Sequence, residues 1–93
     1  MTFGSRLRTL RERRGLSIRE IADAVGVSTT YVSFVERGLC KPPTPTRLIA
    51  LAVTLGENPD RLLLAAGHLP PDVEAIIRHR PELIDSIRAS AAA

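Results

Sequence analysis

Aromatic residues are scarce in this chain: of its 93 residues only Phe3, Tyr31 and Phe34 carry an aromatic carbon ring, and tryptophan is absent. A core with so few rings has to be assembled from Leu, Ile, Val and Ala, a set that leans to helices and against a small β-barrel or sandwich. Cysteine occurs once, at Cys40, so no internal disulfide can form and nothing points to an oxidising compartment. Long apolar runs are missing as well. The longest, around residues 48–53, is far too short to cross a bilayer, and no signal-peptide pattern stands out. Histidine is limited to His68 and His79, neither at a metal-ligand spacing from the cysteine, and there is no glycine-rich phosphate loop. These shortages argue against an enzyme and against a metal or cofactor, and a cytoplasmic helical domain is expected.

Hydrophobic residues make up 44% of the chain and charged residues 25%, the balance of a folded sequence rather than a disordered one. The net charge of +3 hides an asymmetry: residues 1–47 carry nine basic and four acidic groups, residues 48–93 four and six. Twelve of the thirteen cations are Arg, the side chain best shaped for bidentate contacts to phosphates and base edges. A basic first half suggests a polyanionic partner; a merely solvated basic helix face fits the charge count equally well.

Apolar spacing predicts a succession of short helices and no strand alternation. The first lies within residues 3–14, with Phe3, Leu7 and Leu10 on one face and Gly15 as its stop. Ser17 and Glu20 form a capping box that opens a second helix, with Ile18, Ile21, Ala22 and Val25 inward and Gly26 as its end. Ser28 caps a third helix through about Arg37, in which Val32 and Val35 face the core. After the loop 39–43, Thr44 and Pro45 start a fourth helix with the stripe Leu48, Leu51, Ala52 and Leu55, and Asn58 and Pro59 start a fifth with Leu62, Leu63 and Ala66. Beyond Gly67, prolines break the chain into two further short helices, marked by Val73, Ile76 and Ile77 and, after Pro81, by Leu83, Ile84 and Ile87. The tail 89–93, without a cap, is expected to fray.

Two helices joined by a short turn around a glycine is helix-turn-helix spacing. Ala22 is small where the two helices cross, Gly26 suits the turn, and Val32 and Val35 pin the second helix on the first. With these stand Leu-Arg-x-Leu-Arg (7–11), Gly-Leu-Ser (15–17), Glu-Ile-Ala (20–22), Gly-Val-Ser (26–28), Tyr-Val-Ser-x-Val-Glu-Arg-Gly (31–38), Leu-Gly (55–56) and Asp-Arg-Leu-Leu (60–63). In that order, from Phe3 to Ala66, the chain resembles the lambda-repressor-like family, also called Cro/cI or XRE-type regulators.

The resemblance implies an all-α fold, a five-helix lambda-repressor-like DNA-binding domain over residues 1–67. The C-terminal helical extension of two short helices over 68–93 is expected to serve as a dimerisation element, the alternative being that it packs on the Leu62/Leu63 region of the same chain. The resemblance also implies a repressor-like transcriptional regulator that binds double-stranded DNA sequence-specifically, with helix 28–37 in the major groove. Thr29, Thr30, Ser33 and Phe34 match base-reading positions. Ser28 at the helix start is a phosphate contact or a cap alone, Tyr31 matches a frequent family tyrosine that either packs its ring only or also offers its hydroxyl to a phosphate, and Arg37 and Lys41 are phosphate contacts or solvent-facing charges. Arg11 and Glu36 match a structural ion pair. Ile18 departs from the pattern, because many members carry Gln there to hold a phosphate. A homodimer is expected, with no membrane partner. The rivals are an antitoxin or controller that also holds a protein partner through residues 69–93, and an interaction module without DNA binding.

Overall fold

The computed structural model describes residues 2–92. Helix α1, Phe3–Arg13, starts where Thr2 is extended and its hydroxyl accepts from the Ser5 amide at 3.1 Å. Helix α2, Ile18–Val25, opens on a reciprocal box. Ser17 Oγ accepts from the Glu20 amide at 3.0 Å, and the Ser17 amide donates to Glu20 Oε1 at 3.1 Å. Gly26, at φ 80°, ends α2 in the left-handed region, and helix α3 follows at once over Thr29–Glu36. Helix α4, Pro45–Leu55, and helix α5, Pro59–Ala65, both begin on proline. Helices α6, Pro71–His79, and α7, Leu83–Ala92, complete the chain.

The expected helix starts and stops differ from the structure in three places. Thr44 makes no side-chain cap hydrogen bond, whereas Asn58, equally followed by proline, accepts from the Asp60 and Arg61 amides. Helix α7 starts at Leu83 rather than at Pro81, since residues 80–84 form a turn in which the Leu83 amide donates to Arg80 O at 3.0 Å. The tail does not fray within the described residues: it stays helical to Ala92, in keeping with the high helix propensity of its alanines.

Burial follows the apolar stripes. Leu7, Ile21, Ala22, Val32, Val35, Leu48, Leu51, Ala52, Leu55, Leu62 and Leu63 form one cluster without an aromatic ring, and Phe3 and Tyr31 pack at its margin. Helix α2 lies against both α3 and α4, α1 lies against α3, and α5 lies against α4. Buried Gly4 lies where α1 comes close to the backbone of Val35 and Glu36 in α3. Helices α6 and α7 are different: neither holds a buried residue, and neither packs extensively on another helix. The molecule is therefore long, 44 × 24 × 24 Å, with a radius of gyration of 15.3 Å, against about 12 Å for a rounded chain of this length.

Candidate nucleic-acid interface

Helix α3 owes its position to two valines. Val32 and Val35 point into the core, and at about 100° per residue the remaining positions follow. Thr30, Ser33, Phe34 and Arg37 turn outward, and Thr29, Tyr31 and Glu36 sit on the flanks. Thr29, Thr30, Phe34 and Arg37 are exposed, while Ser33 and Tyr31 are half-buried. Ser28 Oγ accepts from the Tyr31 amide at 3.0 Å, so this hydroxyl caps the helix. Lys41 is exposed in the loop after α3.

The C-terminal end of α3 is tied to α1 by charge. Arg11 Nε donates to Glu36 Oε2 at 2.7 Å and Nη2 to Oε1 at 3.0 Å, a bidentate pair, while Nη1 donates to Leu16 O at 2.9 Å. The hydrogen bond to Glu36 raises the pKa of the Arg11 guanidinium, against the opposing effect of burial. One guanidinium thus joins α1, the loop before α2 and the end of α3.

Two cation–aromatic pairs lie on α3, one on its outward face and one on the Tyr31 flank. The Arg37 guanidinium carbon lies 5.9 Å from the Phe34 ring centroid, and that of Arg47 lies 5.1 Å from the Tyr31 centroid. Beneath Tyr31 the core leaves a gap of only about 10 Å³, bounded by Val25, Val27 and Leu51 among others, which is a packing defect rather than a ligand pocket.

Ile18 is half-buried and packs against the core, so it has no polar group to offer a phosphate. Its exposed neighbour Arg19, in the first turn of α2, and Arg47, in the first turn of α4, belong to no motif that singles them out in the sequence. A local sign exists for both: a cation in the first turn opposes the helix dipole, an arrangement that suits an external anion. Among the described residues no group of three His, Cys, Asp or Glu side chains could hold a metal, and no helix is long and apolar enough to cross a membrane.

Helix α2, its glycine turn and α3 define a helix-turn-helix protein of the lambda-repressor type. Residues 2–65 match the family described as helix-turn-helix domain, and the chain belongs to it. It is 45% identical over 85 residues to the HTH-type transcriptional regulator DdrOP3 of Deinococcus deserti, a match covering 83% of this chain and 65% of that protein. It is 35% identical over 74 residues to the HTH-type transcriptional repressor RghR of Bacillus subtilis, covering 80% and 55%. The chain spans about half the length of several such relatives. Among solved structures it is similar to SinR, a master regulator for biofilm formation, in complex with DNA, with a TM-score of 0.61 and 31% identity over 67% of this chain and 98% of that one.

Proposed function

We propose that this chain is a repressor-like transcriptional regulator that binds double-stranded DNA sequence-specifically, with α3 in the major groove. One observation carries the reading: the outward side of α3 is uncharged from Thr29 to Phe34, with the exposed cations Arg37 beside Phe34 and Arg47 beside Tyr31. Neutral hydrogen-bonding side chains suit base edges, and cations beside them suit phosphates. The similarity to a protein solved in complex with DNA supports DNA binding. In this reading Thr29, Thr30, Ser33 and Phe34 read bases. Arg37, Lys41, Arg19 and Arg47 hold phosphates with the Tyr31 hydroxyl, and Ser28 orders the amides at the helix start.

Selection of bound duplexes from a random pool, followed by gel-shift titration, tests the reading. The native protein should enrich a defined sequence, and absence of any shift at low salt would leave an interaction module instead. Thr30→Ala and Thr29→Ala should each lower affinity for the selected site by about 1–3 kcal/mol. Neither should change the melting temperature, since both side chains are exposed. Equal losses on selected and random DNA would reassign these residues to phosphates.

Residues 1–67 are the DNA-binding unit in this proposal, and 68–93 join two copies. Helices of nine and ten residues are marginal on their own, and Val73, Ile76, Ile84 and Ile87 are all exposed here. Pairing two extensions covers these side chains and sets two α3 helices on half-sites about 34 Å apart. Sedimentation equilibrium should give a dimer, and Ile76→Asp with Ile87→Asp should give a monomer with weaker operator binding. A native protein that stays monomeric at high concentration refutes the pairing and favours a different protein partner on this surface.

A further inference from the structure

We infer that Phe34, backed by Arg37, reads the C5-methyl group of a pyrimidine in the major groove; the inference rests on the groove-binding role proposed for α3. Phe34 is 41% exposed and stands on the outward face of a helix whose other outward side chains are polar. A lone exposed apolar side chain is ordinary on a protein surface and by itself says nothing. This one has a cation beside it: the guanidinium of Arg37 lies 5.9 Å from the ring centroid. Arg37 is exposed as well, so its guanidinium can reach a phosphate next to the base that Phe34 meets.

A phenyl ring has neither donor nor acceptor. It cannot take part in the hydrogen-bond code by which base edges are told apart, and set against the amino group of adenine or unmodified cytosine it would strip water from a donor without replacing it. The major groove offers such a ring one apolar feature, the methyl group on C5 of thymine. The same methyl occurs on 5-methylcytosine, so the chemistry recognised is a C5-methylated pyrimidine. Thr30 stands one turn before Phe34 on the same face. Its own methyl adds a second apolar element there, and its hydroxyl remains for a neighbouring base edge. Phe34 thus supplies specificity by shape and dryness, where its threonine and serine neighbours supply it by hydrogen bonding.

The test uses the full chain and the duplexes it selects. Each conserved thymine is replaced in turn by deoxyuridine, which removes the methyl and nothing else. At one position per half-site the native protein should lose about four-fold in affinity, the worth of one buried methyl group. Phe34→Asn should bind the thymine and deoxyuridine duplexes alike, and Phe34→Leu, still apolar, should keep the preference. Melting curves check that both variants fold. Replacing the sensitive T·A pair by C·G and then by 5-methyl-C·G separates the two sources of the methyl. Recovery with the methylated cytosine extends the contact to either base, and no recovery restricts it to thymine; both outcomes support the methyl contact. Indifference of the native protein to deoxyuridine at every position overturns it, as does a deoxyuridine effect that survives in Phe34→Asn. Failure to select any duplex strikes the DNA-binding reading instead and is seen before the base substitutions begin.

Discussion

Glu36→Ala should destabilise the protein by about 3 kcal/mol or more, a large fraction of what holds a small domain folded. The Glu36 side chain is only 5% exposed and that of Arg11 13%. Without the carboxylate, the guanidinium keeps its bond to Leu16 O but faces a site from which water is largely excluded. The cost is then dominated by an unpaired, desolvated charge rather than by the lost attraction. For a domain of this size such a loss lowers the melting temperature by about 12–25 °C. Circular dichroism at 222 nm against temperature measures it, and superimposable curves for mutant and parent would refute the assignment. Arg8 and Glu12 supply the control: their side chains are 66% and 57% exposed, and removing that pair should cost about 1 kcal/mol at most.

Gly4→Ala should also destabilise, although alanine is the better helix former by about 1 kcal/mol. A Cβ at this position would lie 2.4 Å from Val35 O and 2.5 Å from Glu36 O. Both are backbone atoms at the end of α3, so no side-chain rotation relieves the clash and the two helices must part. Overpacking of this kind costs about 1–3 kcal/mol, and the upper end is expected because parting α1 from α3 also stretches the Arg11–Glu36 bridge. The midpoint of urea unfolding should fall, and operator affinity should fall with it as the end of α3 moves. A midpoint at or above the parent's would show that α1 can shift without cost.

The division between what sequence reveals and what it conceals follows the range of each interaction. The box formed by Ser17 and Glu20, the turn at Gly26 and the stripe Leu48, Leu51, Ala52 and Leu55 are local patterns, each legible in the order of neighbouring residues alone. The five-helix order, and with it the family, rests on the same punctuation. The role of Gly4 is not legible in this way, because its reason is the carbonyl of a residue 31 positions later. Nor is the contact of Arg47 with Tyr31, which joins the first turn of α4 to the flank of α3. The exposed state of α6 and α7 is equally hidden: their apolar spacing looks like that of any core-facing helix, and only the packing reveals that this chain does not cover them. On α3, periodicity separates inward from outward positions. It does not distinguish a threonine that reads a base from one that lies in solvent.

The projecting α6 and α7 also govern how the molecule moves through a medium. An elongated particle meets more friction than a sphere of equal mass, and gel filtration sorts by hydrodynamic radius rather than by weight. With one axis nearly twice the other two, a single chain elutes where a rounder, heavier protein does. Its elution volume therefore mimics self-association, and its stoichiometry has to be read from a quantity that depends on mass alone.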